Sequence, residues 1–137
     1  MNTEENIQKA KQFIEQNQHD EARMCLLEIL KDDPTNKAAL IILGGSYFSM
    51  EKYAEAEMVF ERLILLEPGV GKFSIGLFNT LWRMNRQEEA LEEIKRFFSH
   101  ADQDIENETI GQYIAVINHI DNGDNMNFDN LNDDNQD

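Results

Sequence analysis

The chain is predicted to be all-α and built from a helical repeat, and three observations predict this. Ala22, Ala56 and Ala90 recur every 34 residues. Pro34 and Pro68 keep the same step. So do three apolar or aromatic sets: Phe13, Tyr47 and Leu81; Leu26, Phe60 and Ile94; Ile29, Leu63 and Phe97. A period of this length marks a helix pair that cannot bury its apolar face alone and must stack on its neighbours.

The pattern predicts helices over residues 3 to 16, 20 to 32, 37 to 49, 53 to 66, 72 to 84, 87 to 99 and 104 to 119. In the first pair, Ala10 is small where the two helices cross, and Ala22 keeps the second helix close to its neighbours. Pro34 ends that helix and disfavours helical conformation at Asp33. The second pair repeats the arrangement with Gly44, Ala56 and Pro68, the last acting on Glu67. The third keeps Leu77, Leu81, Ala90 and Ile94 but carries Phe78 at the small position and Asp102 where proline stood. The seventh helix has no partner. Its apolar set, Ile105, Ile110, Tyr113, Ile114, Ile117 and Ile120, is near helical spacing and is expected to cap the open end.

The middle copy, with Leu40, Leu43, Gly44, Tyr47, Ala56, Phe60 and Pro68, resembles the tetratricopeptide repeat. The first copy is an eroded version, since Asn6 and Lys9 stand where apolar residues are usual. The resemblance implies a tetratricopeptide-like helical-hairpin solenoid of three helix pairs plus a C-terminal capping helix. Repeats are placed at about 3–36, 37–70 and 71–104, with the cap at 104–120, in one domain spanning 1–120. It also implies a non-enzymatic binding function, because this family holds proteins together.

Length and composition suit one such domain: 137 residues, 41% of them hydrophobic, sustain a core if the stack is continuous. No run approaches the ~20 apolar residues of a membrane span, and the first residues lack the apolar core of a signal peptide. A cytoplasmic location is the default expectation. Cys25 is the single cysteine, which excludes an internal disulfide and reads as a small buried hydrophobe.

The formal net charge is −15, and its distribution is uneven. Residues 121–137 hold six Asp, six Asn and no basic residue, a composition expected to form a disordered acidic tail. Further acid on the second helices, as at Glu88, Glu89, Glu92 and Glu93, is expected to face solvent. Nucleic-acid binding is disfavoured, because phosphate contacts need clustered Lys and Arg.

Several motif-like segments fail as chemistry. Gly69-Val70-Gly71-Lys72-Phe73 lacks the spacing and the Ser or Thr of a phosphate loop, and reads as a turn. His19, His100 and His119 are far apart and lack metal-ligand spacing. The tail's carboxylates lack the order of a calcium loop. No nucleophile and base are brought together by the repeat. Neither cofactor, metal nor catalytic residue is expected, and Asn107-Glu108-Thr109 is read as a chance sequon.

A stripe on the first helices is more informative. Ile7, Ile41 and Ile75 recur at 34, and Ile14, Phe48 and Trp82 follow each by seven residues, two turns along the same face. The resemblance places these on the wall of a concave groove, with Lys11, Gly45 and Asn79 between them and Lys72 and Arg83 nearby. Recessed aromatics in an apolar strip suit a peptide or helix ligand. The positions matching a chaperone-tail carboxylate clamp are Ile7, Lys11, Ile42, Lys72 and Gly76, of which only Lys72 has the required type. A heat-shock chaperone C-terminal tail is therefore disfavoured, and an apolar or amphipathic segment is the expected ligand.

Other readings stay open at this point. A dedicated chaperone or immunity-type inhibitor would bind a basic partner through the acidic surface and weaken steeply with salt. An enzyme accessory subunit or a homo-oligomer is also compatible with the sequence. Met126, Phe128 and Leu131, the tail's large apolar residues, suggest a segment able to occupy the chain's own groove or that of a neighbouring copy, with Asp124 and Asp129 near Lys72 and Arg83; the alternative is a solvated tail that only aids solubility.

Overall fold

The computed structural model describes residues 2–121. The segment expected to be a disordered tail lies, from residue 122 onward, outside the described residues. Among those described there are seven helices and no strand: α1 Thr3–Glu15, α2 His19–Asp32, α3 Lys37–Ser49, α4 Tyr53–Leu66, α5 Gly71–Arg83, α6 Gln87–Phe98 and α7 Asn107–Asp121. Among the described residues they fall into two compact units, one ending at Leu66 and the other beginning at Glu67.

In the first unit α1 pairs with α2 and α3 with α4, while α3 also packs on α1 and α2. The small residues explain the close pairing. Ala10, Ala22 and Ala56 are fully buried. A Cβ at Gly44 would lie 3.1 Å from the Phe60 ring and 3.2 Å from Val59 Cγ1, so α3 and α4 approach there as the sequence predicts. Leu26 and Leu63 fill the resulting interior without exposure. Each contributes about 2 kcal/mol by leaving water.

The turns inside the helix pairs share one device that the residue types only partly disclose. Asn17, Glu51 and Asn85, spaced by 34, all adopt the left-handed conformation, with φ of 62°, 60° and 62°. The amide after each donates back across the turn: Gln18 to the Phe13 carbonyl at 2.7 Å, Lys52 to Tyr47 at 2.9 Å and Arg86 to Leu81 at 2.9 Å. The left-handed residues themselves donate to Ile14, Phe48 and Trp82. These are Schellman caps, which satisfy the last carbonyls of α1, α3 and α5. At the other ends, Asn2 Oδ1 accepts from the Glu4 amide at 2.7 Å and Asn36 Oδ1 from the Ala39 amide at 2.9 Å.

In the second unit α5 packs on α6 and α7. It is buried nearly all round, from Phe73 through Phe78 and again at Thr80 and Leu81. Its two fully buried hydroxyls are satisfied: Ser74 Oγ meets Tyr113 Oη at 2.7 Å, and Thr80 Oγ1 donates to the Gly76 carbonyl at 2.7 Å. Phe78, anomalous at a small position, is fully buried against Tyr113 of α7, their ring centres 5.7 Å apart. The Gly69–Gly71 turn is also a packing element. A Cβ at Gly69 would come 2.7 Å from the His100 carbonyl oxygen, and one at Gly71 would strike the Thr109 and Glu106 side chains.

Two expectations need correction here. The seventh helix begins at Asn107 rather than 104, because Asp102 Oδ1 accepts from the amides of Asp104 at 2.9 Å and Ile105 at 3.0 Å and holds a turn instead. Glu93 does not face solvent: it is 5% exposed, while Glu88, Glu89 and Glu92 are exposed. Arg96 compensates it through two hydrogen bonds of 2.7 and 2.6 Å and extends to the Pro68 carbonyl at 2.9 Å. Helix α7 buries Tyr113 and Val116 but leaves Ile114 48% exposed, and Ile105 in the turn before it is 77% exposed.

Candidate functional site

The first helices of the first unit frame an open hollow of about 410 Å³. Four residues singled out from the sequence stripe line it: Lys11 and Ile14 from α1, Ile41 and Gly45 from α3. Helix geometry brings them together, since α1 and α3 lie side by side and these positions face one way. Gly45 leaves the floor open, for a Cβ there would meet nothing within 4 Å. Ile41 is 38% exposed although it is a large apolar side chain.

The rim is polar. Lys11 and Glu15 stand on α1 and Ser46 and Ser49 on α3, with His19 at the start of α2. His19 Nδ1 and Ser46 Oγ are 2.7 Å apart, a hydrogen bond that ties α2 to α3 beside the hollow. The stripe did not include His19, Ile42 or Ser46 as groove residues. Ile42 is the neighbour of Ile41, and the exposed small pair Gly45 and Ser49, one turn apart, was the signal that α3 is thin on this side.

The other stripe residues of this unit lie differently. Ile7 is 7% exposed and belongs to the core. Phe48 is half-buried at the end of α3, edge-on to Tyr53 with ring centres 5.4 Å apart.

In the second unit the stripe runs along α5. Lys72 and Arg83 are exposed near its two ends. Ile75 is 1% exposed and is core, so it offers nothing to a ligand. Trp82 is half-buried, stacked on Phe78 at 5.6 Å and 17°. The bulky residue at the small position supplies that platform and draws the indole partly into the interior. Asn79 is half-buried, and its Oδ1 is out of reach of solvent with no hydrogen-bond partner among the described residues.

A second apolar hollow, absent from the sequence reading, lies between α6 and α7. It measures about 290 Å³ and is lined by Leu91, Ile94, Phe98, Ile117 and Ile120, with Lys95 and Asp121 at its edge. Phe98 and Ile114 also border an open depression of about 490 Å³ on α7, beside Gly111.

Among the ionisable groups, burial raises the Tyr113 phenol well above its usual range, opposed by the hydrogen bond to Ser74. The Glu89 carboxyl is held below its usual range by its hydrogen bonds with Arg86. Neither faces the α1–α3 hollow. That site offers shape, apolar surface and a mixed-charge rim.

Comparison with known proteins agrees with this architecture. Residues 38–69, the second copy of the repeat, match the tetratricopeptide repeat family. That copy is a tetratricopeptide repeat, as its Leu, Gly, Tyr, Ala, Phe and Pro positions indicate. No curated protein matches the sequence significantly. The structure is similar to that of a MamA mutant, with a TM-score of 0.66 and 17% identity over 88% of this chain and 75% of that one. At that identity the likeness concerns the fold: an all-α, tetratricopeptide-type arrangement of helical hairpins.

Proposed function

We propose that this chain is a protein-binding module that holds an amphipathic segment of a partner in the hollow between α1 and α3. A tetratricopeptide repeat is an interaction element, which supports the coarse reading. The observation carrying the finer one is that Lys11, Ile14, Ile41 and Gly45, separated by up to 34 residues in sequence, line a single open hollow. Its apolar floor rewards burial of aliphatic side chains, and its polar rim fixes orientation. The Lys11 and Glu15 charges favour a segment whose flanks carry both signs.

A surface that recruits a basic partner by charge alone receives less support. On α6 the acidic residues are interleaved with Arg86, Lys95 and Arg96, which pair with Glu89, Glu92 and Glu93. No enzymatic role is proposed. The test is selection of peptides from a display library on the immobilised full chain, followed by the same measurement on Ile41→Asp. Selected amphipathic peptides that lose binding with this variant, while its circular dichroism stays helical, support the reading. Peptides that bind both proteins equally overturn it.

A further inference from the structure

Helix α3 carries two adjacent glycines, and the chain's own packing explains only one of them. Glycine is the poorest helix former after proline, so each weakens α3. At Gly44 a Cβ would crowd Phe60 and Val59, at 3.1 and 3.2 Å, so the approach of α4 requires the glycine. At Gly45 a Cβ would meet nothing within 4 Å, and the residue lies inside a regular helix. Neither a close contact nor a special backbone angle asks for glycine there. What the missing side chain does is leave the floor of the α1–α3 hollow open.

The rim beside it carries charge that the chain leaves unused. Arg23 and Lys31 pair with Asp20 and Glu28 on their own helix. Lys11 and Glu15 stand four apart on α1, yet neither forms an ion pair among the described residues. A lysine four residues before a glutamate is the less favourable order for pairing along a helix. Both line the hollow, about 6 Å apart along the axis of α1.

We infer that Gly45 sets which partner the hollow accepts: its missing side chain is the space for one bulky apolar side chain, leucine or larger, flanked on the partner by an acid opposite Lys11 and a base opposite Glu15. This rests on the binding reading of the α1–α3 hollow and names the anchor that the site selects. The walls around Gly45 are aliphatic, formed by Ile14, Ile41 and Ile42, and the hollow measures about 410 Å³. A small anchor would leave those walls without partner atoms, whereas a large one fills the space and gains their contacts. The exposed charges of Lys11 and Glu15 then fix the direction in which the segment lies.

The probe is a display library of amphipathic peptides selected on the immobilised full chain. The peptides recovered are expected to share one Leu, Phe, Met or Trp between an acid and a base. Cutting that anchor to Ala is expected to weaken binding to the wild type at least about tenfold. Gly45→Leu fills the space from within, so it is expected to weaken the bulky peptide by a similar factor and to lose little more when the anchor is cut. Such non-additivity marks two groups that share one space. The double variant Lys11→Glu, Glu15→Lys is expected to reverse the order of acid and base among recovered peptides. Recovery of peptides without a common bulky residue overturns the inference. So does an anchor truncation that costs the same factor in Gly45→Leu as in the wild type, or an order of charges that stays the same in the double variant. In each of these cases loss of binding in Ile41→Asp leaves the hollow as the site, whereas equal binding to Ile41→Asp removes the site and the inference together. If Gly45→Leu loses its helical circular dichroism, Gly45→Ala carries the same cycle with a smaller, severalfold effect, and additivity there overturns the inference.

Discussion

The Tyr113 hydroxyl of α7 and the Ser74 hydroxyl of α5 meet at 2.7 Å inside the second unit, with both residues fully buried. The pair joins two helices that also share an aromatic cluster. Phe78 of α5 and Phe97 and Phe98 of α6 place their ring centres 5.7, 5.7 and 6.2 Å from that of Tyr113. The cluster supplies apolar area, and the hydrogen bond removes the cost of burying two hydroxyls. It therefore fixes how α7 lies on α5.

This pair makes alkaline stability specific. Burial raises the folded-state pKa of Tyr113 above the ordinary 10.0. Its contribution is thus fully present below about pH 10, the unfolded value, and is lost as pH rises toward the folded one. Tyr113→Phe is expected to cost about 1–2 kcal/mol at pH 8 through the lost hydrogen bond. The stability difference between wild type and variant then narrows above pH 10, because only the wild type has this phenol to ionise. Urea unfolding at pH 8, 9, 10 and 11 measures it. A gap that stays constant or widens contradicts the assignment.

At the turn of the second helix pair, Glu51 holds a φ of 60° that asparagine holds in the other two turns. A left-handed residue with an ordinary side chain costs roughly 1–2 kcal/mol, and asparagine tolerates it better. Glu51→Asn is expected to stabilise by about 0.5–1 kcal/mol without moving the helices. The same change at exposed Glu55, inside α4, is expected to give no gain, because asparagine is a poorer helix former. Thermal unfolding of the two variants decides.

These turns show how far the sequence was legible. Ala22, Ala56, Ala90 and Pro68 were readable as packing and stop signals because one residue type does one job at each. The Schellman caps were not, since Asn17, Glu51 and Asn85 share a backbone angle rather than a side chain. Glu93 was misread because charge on a helix ordinarily means solvent, and its partner Arg96 lies only three residues on, where surface pairs are also found. For the candidate site, the spacing of Ile14 and Ile41, with Lys11 and Gly45 added by the resemblance, picked out four residues that line the hollow. It did not separate Ile7 and Ile75, which share the stripe but sit in the core, because periodicity gives a face and not a depth.

Two glycines on first helices carry opposite expectations. Gly45 faces open space, so Gly45→Ala is expected to stabilise α3 by about 1 kcal/mol through helix propensity. Gly71 abuts the side chains of Thr109 and Glu106, so Gly71→Ala is expected to lose about 1–3 kcal/mol by forcing α7 away from α5. The opposite order of melting temperatures would contradict both placements.

The buried carboxylate gives a further contrast. Glu93→Ala leaves Arg96 without the partner that holds it near the Pro68 carbonyl. A cost of about 1–3 kcal/mol is expected. Glu92→Ala, one residue away and exposed, is expected to change stability by less than about 0.5 kcal/mol. Equal effects in urea unfolding would mean that Glu93 is solvated like its neighbours.

The last prediction separates fold from binding at the candidate site. Trp82 stacks on Phe78, which is fully buried, so Trp82→Ala opens the second unit's core from one side. It is expected to lower stability by about 2–3 kcal/mol, short of the full value for a wholly buried indole because Trp82 is half-exposed. Ile41→Asp removes no comparable contact: it lies on the wall of the α1–α3 hollow and is already partly in water. Its effect belongs to the ligand, where a central apolar anchor is worth about 2 kcal/mol, a loss of roughly thirtyfold in affinity. Calorimetric titration with a selected amphipathic peptide, beside thermal unfolding, reads both. Ile41→Asp is expected to bind weakly and melt close to wild type, and Trp82→Ala to melt early and, below its transition, to bind the peptide. If Trp82→Ala keeps its melting temperature and loses the peptide while Ile41→Asp binds normally, the ligand sits on α5 and the α1–α3 hollow is not the site.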